Sequence, residues 1–299
     1  MPISLTRLLS AGCLAAPLVA DAAQPRMHTD YGLPSFLGEG TVTAFMWTNP
    51  NGKPKAIGVE ISGDAFIDMP TAPSDGRWDI VDMDGNVVWH CCGHELSLDM
   101  PVSAAGTPFQ HIVVNYNPQG HVPPGVYDLP HFDVHFYMIP EATRLSIGAP
   151  AAEDRCLVPG PGGVMEPVPL TCDDYQRAIA PVPSDTQPPD HVSVGAVEPA
   201  MGNHLLDLSS PEFTGGIFSH TWIFGTWDGA LHFFEPMITT DFLLGLTGKQ
   251  CFSYAMPEAM PARGMYPTKY CMGYDLSRDV YQITLERWRP FAATASALP

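Results

Sequence analysis

Positive charge is scarce in this chain. Its 299 residues hold 14 Lys and Arg against 32 Asp and Glu, a formal net charge of −18. Nucleic-acid binding needs clustered basic side chains to neutralise phosphates, so it is all but excluded as a function, and an anionic membrane surface would repel the protein. Long hydrophobic runs are missing too. No stretch reaches the roughly 18 apolar residues of a membrane-spanning helix, so no membrane insertion is expected. Familiar short motifs of catalysis are also absent. There is no Gly-x-Ser-x-Gly elbow around a nucleophile, and Gly160-Pro161-Gly162-Gly163 lacks the Lys and helix of a phosphate-cradling loop. No Asp-x-Asp-x-Asp-Gly calcium loop occurs despite the acidic excess.

What the chain has instead is 32 Pro, 27 Gly, 11 His and 7 Cys. Pro and Gly make up about a fifth of it, below the roughly 25–30% of disordered low-complexity chains, and the 45% hydrophobic content suffices for a sizeable core. Residues 1–22 read as a signal peptide. Arg7 precedes the Ala/Leu-rich run Leu8 to Ala20, and Ala20-Asp21-Ala22 has the small-x-small form of a cleavage site. The expected location is therefore periplasmic or secreted. Export removes Cys13 and leaves six cysteines in an oxidising compartment. Cys156 and Cys172 flank a turn-rich loop, as do Cys251 and Cys271, and both pairs are disulfide candidates by proximity.

Short strands with Gly/Pro turns recur, and few segments carry helical periodicity. The expected fold class is all-β, an antiparallel β-sandwich or barrel, with one or two short helices. Residues 35–148 form an N-terminal β half, 149–200 an irregular Pro-rich connector, and 201–290 a C-terminal β half. Asp84-Gly85 and Asp228-Gly229 are strong two-residue turn signals.

The most informative segment is Pro130-His131-Phe132-Asp133-Val134-His135-Phe136-Tyr137-Met138. Alternate strand residues share a face, so His131, Asp133, His135 and Tyr137 point one way and Phe132, Val134, Phe136 and Met138 the other. A buried polar face must have every group satisfied, and neutral imidazole is the commonest ligand for transition metals. His131 and His135 are nonetheless about 13–14 Å apart on a straight strand. Both can bind one ion only if the strand bends; otherwise one of them serves another role. In the later hairpin, counting outward from Asp228-Gly229 puts Phe224 opposite Phe233 and Trp222 opposite Glu235. His220, Trp222 and Phe224 then share a face with Phe233, Glu235 and Met237. Glu235 on that aromatic face needs a partner or a cation.

The candidate ligands are therefore His131, His135, Glu235, His204 and His121, with Asp133, Tyr137 and His220 orienting them. The expected cofactor is a divalent transition metal (Zn, Cu or Fe). The first alternative is a metal-dependent enzyme, a hydrolase or oxygenase with Tyr137 and Asp133 as acid–base groups. The second is a metal-free structural oligomer whose His/Glu cluster is a buried hydrogen-bond network. His90-Cys91-Cys92-Gly93-His94 is a weaker soft-metal candidate, because adjacent cysteines on a strand point to opposite faces.

At these residues the sequence resembles an uncharacterised family of exported bacterial proteins, best known from a Thermus member whose expression follows an extracytoplasmic sigma factor. The resemblance lies in Gly120-His121, in Tyr127 to Tyr137, in Met201-Gly202-Asn203-His204-Leu205-Leu206-Asp207, and in Phe234-Glu235-Pro236-Met237-Ile238-Thr239. It implies a largely β fold and a homo-oligomer, and brings no established activity with it.

Overall fold

The computed structural model describes residues 27–296, so the signal segment lies outside the described residues. The fold is all-β. Two seven-stranded antiparallel sheets pack face to face. The first contains β1 (His28–Tyr31), β2 (Ser35–Leu37), β3 (Gly40–Thr48) and β4 (Pro54–Ser62). The second takes β5 (His94–Leu98), β6 (His111–Asn117), β7 (His131–Tyr137), β8 (His191–Glu198), β9 (Gly202–Asp207), β10 (His220–Trp227) and β11 (Ala230–Thr239). The chain then returns to the first sheet with β12 (Gln250–Ser253), β13 (Lys269–Asp275) and β14 (Val280–Glu286). The strand orders are β1-β3-β4-β14-β13-β12, with β2 also on β3, and β8-β9-β10-β11-β7-β6-β5.

The main core fills the space between the sheets. Val42, Ile57, Val59 and Ile283 of the first sheet meet Ile112, Val114, Phe132, Val134, Phe136, Phe224 and Phe234 of the second. The apolar face of β7 is thus spent on the sandwich core. The opposite face of the second sheet is not open to water either. A third layer of loops covers it, and a second apolar cluster forms there from Val113, Tyr137, Leu206, Ile223, Phe233 and Met237 with Tyr127, Met201 and Phe218. The three α-helices among the described residues are short: α1 (Glu141–Leu145), α2 (Cys172–Ala178) and α3 (Thr240–Leu244). Thr239 caps α3, its hydroxyl oxygen accepting from Phe242 N at 3.3 Å. The Pro-rich connector is ordered. It contains a small hairpin (Leu157–Pro159 with Met165–Pro167), α2, and at its end β8, an edge strand of the second sheet.

Cys156–Cys172 and Cys251–Cys271 are joined as the sequence predicts, and Cys91 is joined to its neighbour Cys92. Three disulfides fit an oxidising, exported compartment. No described helix is long and apolar enough to cross a membrane.

The β10–β11 register differs from the simple count. Asp228 and Gly229 both have positive φ, 49° and 66°, as a tight two-residue turn requires, and Trp227 does face Ala230. A bulge then intervenes: Thr226 pairs with Leu231 but Gly225 with Phe233, leaving His232 as an extra residue. Glu235 therefore lies opposite Ile223, and Trp222 opposite Pro236. A slip of one residue exchanges the faces of a strand. His220, Trp222 and Phe224 turn towards the sandwich core, while Phe233, Glu235 and Met237 sit with Ile223 on the covered face.

Candidate metal centre

Strand β7 is the axis of the site. Its polar face, His131, Asp133, His135 and Tyr137, is buried, and β11 on one side and β6 on the other hold it in register. Because Phe233 pairs with Tyr137 and Met237 with Asp133, Glu235 falls opposite His135. The two histidines of β7 do not share a group. His121, His131 and Asp133 form one set and His135, His204 and Glu235 another, and within each set one ligand atom from every residue lies within 4.8 Å of the others. The strand needs no bend to use both imidazoles, since each belongs to its own cluster. Asp133, expected to orient a ligand, is itself in a group that could hold an ion.

The histidine tautomers are set by the backbone. His131 Nδ1 lies 2.7 Å from the Leu129 carbonyl, His121 Nδ1 2.7 Å from the Val122 carbonyl, and His204 Nδ1 3.0 Å from the Ala196 carbonyl. A carbonyl only accepts, so each Nδ1 carries its proton, and in the neutral ring the Nε2 lone pair faces inward. These Nε2 atoms point at carboxylates: His131 at Asp133 Oδ1 (3.1 Å), His121 at Asp133 Oδ2 (3.3 Å) and His204 at Glu235 Oε2 (3.8 Å). His135 Nε2 lies 3.3 Å from Glu235 Oε1. A lone pair aimed at a carboxylate oxygen is repulsive unless a proton or a metal ion lies between them. Pinning Nδ1 to a carbonyl is also how metal-binding imidazoles are oriented.

The two sets differ in charge. Burial opposes ionisation of Asp133, but His131 and His121 outweigh it and hold the carboxyl well below its usual range. The Asn117 amide donates to Asp133 Oδ2 at 2.7 Å and fixes it. Burial likewise opposes the charge of His121, yet the bond to Asp133 raises this imidazole. In the second set, burial lowers His135 well below its ordinary value and brings His204 to about 4. Burial, with the charge of Asp133, pushes Glu235 well up. Without an ion this set is uncharged: two neutral imidazoles and a carboxylic acid. Among the described residues, His135 Nδ1, His135 Nε2 and Glu235 Oε2 are buried with no hydrogen-bond partner.

Both sets open onto one cavity of about 350 Å³, lined by His121, Asp133, His204 and Glu235 at the polar end and by residues including Val158, Val168, Val197, Leu206, Ile223 and Met237 elsewhere. Glu198, at the end of β8, also lines it, and burial pushes this carboxyl up to about 8. The sequence reading missed Glu198, whose only signal is its place at the edge of the Pro-rich connector. It also missed His232, which the bulge turns inward.

Two expected partners lie elsewhere. His220 Nδ1 pairs with the Tyr270 hydroxyl at 2.8 Å, on the core side of the sheet, because the bulge reverses its face. The Tyr137 hydroxyl donates to the Ala200 carbonyl at 3.2 Å, and its ring stacks on His111 (4.6 Å) and His135 (5.6 Å), so it packs against a candidate ligand and does not line the cavity. The His90–His94 segment forms no joint site: His90 Nδ1 contacts Asp79 at 2.8 Å and His94 Nε2 the Ala72 carbonyl at 2.8 Å. Cys91 and Cys92 lie near Glu198, but their sulfurs are joined to each other.

The fold and cavity together define a class: a disulfide-bonded β-sandwich whose covered face carries His/carboxylate groups that could hold a metal. Comparison with models of protein families, with curated proteins and with solved structures finds no match to this chain.

Proposed function

We propose that this is an exported metal-binding protein that holds a divalent transition ion, Zn, Cu or Fe, between His135, His204 and Glu235. The observation that carries this reading is the set of buried, unpartnered atoms at His135 and Glu235. Each such group left unsatisfied costs about 1–3 kcal/mol, and an ion bound through one nitrogen of each ring and the carboxylate gives His135 Nε2 and Glu235 Oε2 a partner. Two imidazoles and one carboxylate with a cavity on the open side match the donor sets of open zinc sites and of non-haem iron. Element analysis of the purified mature protein tests the reading, with Glu235→Gln and His135→Ala alongside. Stoichiometric metal in the parent, reduced in both variants, is expected. Sub-stoichiometric metal in the parent, or variants that keep all of it, refutes the reading and leaves the buried network of a metal-free structural protein.

A second reading, a metal-dependent hydrolase or oxygenase, is favoured by the cavity itself. Glu198, titrating at about 8 within it, is suited to exchange a proton near neutral pH. Saturable binding of small esters or amides that requires both the ion and Glu198 is expected on this reading. Binding that is indifferent to Glu198→Gln counts against it.

A further inference from the structure

We propose that the cavity is a two-ion centre, with a second divalent ion held by His121, His131 and Asp133. This rests on the metal reading of the His135 set and extends it.

The alternation of β7 is the first support. His131, Asp133 and His135 occupy three successive positions on one face, so a single strand delivers a histidine to each set and a carboxylate between them. The second support is the way the donors are held. His121 and His131 each have Nδ1 fixed by a backbone carbonyl and Nε2 within 3.3 Å of Asp133. Asn117 fixes Asp133 Oδ2, whereas Oδ1 is buried and has no hydrogen-bond partner among the described residues. The third is charge. No Lys or Arg lines the cavity, so among its lining residues Asp133 has only imidazole to face as a cationic partner. One ion at the His135 set compensates Glu235 and leaves Asp133 dependent on its imidazoles.

Spacing defines what kind of centre this is. Along β7, Asp133 lies about 6.6 Å and His131 about 13 Å from His135, which puts the two ions roughly 7–13 Å from each other. Hydroxide-bridged pairs sit at about 3.5–4 Å. The two ions thus bind side by side on one cavity wall without a shared bridge, and loss of one leaves the other in place.

Zinc titration of the chelator-stripped mature chain against a chromophoric competitor, repeated with cobalt for its visible absorption, tests this. The parent is expected to take two ions. Asp133→Asn and Glu235→Gln are each expected to keep one, with about half the cobalt absorption, and the double variant none. His121→Gln provides a check without altering the central strand: its side chain is 24% exposed at the cavity edge, and it should weaken one ion at least tenfold. One ion in the parent, lost in Glu235→Gln and kept in Asp133→Asn, overturns the second site while the His135 reading stands. Two ions in both Asp133→Asn and His121→Gln also overturn it. Loss of both ions in Asp133→Asn, with near-ultraviolet circular dichroism unchanged, means interdependent ions and refutes it too. No ion in the parent refutes the metal reading itself.

Discussion

Replacing His232 by Phe should make the metal-free protein less sensitive to acid, by an amount the structure sets. His232 is the extra residue of the β11 bulge, 2% exposed, with its ring 5.8 Å from that of Tyr137 and 4.8 Å from that of Phe233. Burial lowers its pKa from 6.5 to about 3. Between those values the unfolded chain binds a proton that the folded protein refuses, so stability falls as pH falls below 6.5. At about 1.4 kcal/mol per pH unit, the loss from this one group is roughly 3 kcal/mol by pH 4. His111 and His204, both lowered to about 4 by burial, act in the same direction. Glu198 and Glu235, with raised carboxyl pKa values, act oppositely: the folded state keeps their protons, and stability rises as pH falls towards 4.5. The parent's own curve is therefore flattened, and the difference between parent and variant isolates His232. Urea unfolding with chelator, followed by tryptophan fluorescence from pH 7 to pH 4, measures it. The stability gap should widen in favour of Phe by roughly 3 kcal/mol across that range. Parallel curves would refute the assignment of His232 as a buried neutral imidazole.

Three further outcomes follow from particular contacts. A Cβ at Gly225 would meet the Phe233 ring at 2.1 Å, and that ring packs on His135 and His204 at 4.9 and 5.2 Å. Gly225→Ala should cost about 1–3 kcal/mol in urea unfolding and lower metal occupancy with it. Arg144 is fully buried, with Nη1 and Nη2 donating to Glu95 at 3.0 and 3.1 Å, and Arg144→Met leaves that carboxylate with Arg77 (2.7 Å) and Trp78 Nε1 (2.9 Å). Hydrogen bonds to a charged group contribute about 1.5–3 kcal/mol, and Arg144→Met should cost about that much in the same assay. Because Glu235 holds a proton in the ion-free state, metal binding must release it. Calorimetry in buffers of different ionisation heat should show that release, and affinity should rise with pH; binding with no proton release would contradict the ligand role of Glu235.

The sandwich was legible because its determinants are local. The alternation of Phe132, Val134 and Phe136 against His131, Asp133 and His135 separates core from site, and Asp228-Gly229 fixes a turn. The grouping of the candidate ligands was not legible. It depends on which strands flank β7, and on a bulge at His232 within an apolar run, Leu231-His232-Phe233-Phe234, where nothing local marks an extra residue. That single insertion sends Glu235 to the covered face with Ile223 and His220 to the other. Counting from the turn therefore placed Glu235 correctly on the face of Phe233 and Met237 but gave it the wrong neighbours on β10.

The proline content acquires a function in the same geometry. One wall of the cavity is built from the connector, through Val158, Pro167, Val168, Pro169 and the stretch Val194 to Glu198. A segment laid over a buried face must find partners for its backbone donors, and each proline removes one donor from that requirement. Cys156–Cys172 closes this segment upon itself, and β8 fastens its far end to the sheet. A covering layer cross-linked within itself and fastened to the sheet at its far end can enclose a site without a regular element above it. That explains how an irregular, Pro-rich stretch comes to shield the most polar face in the molecule.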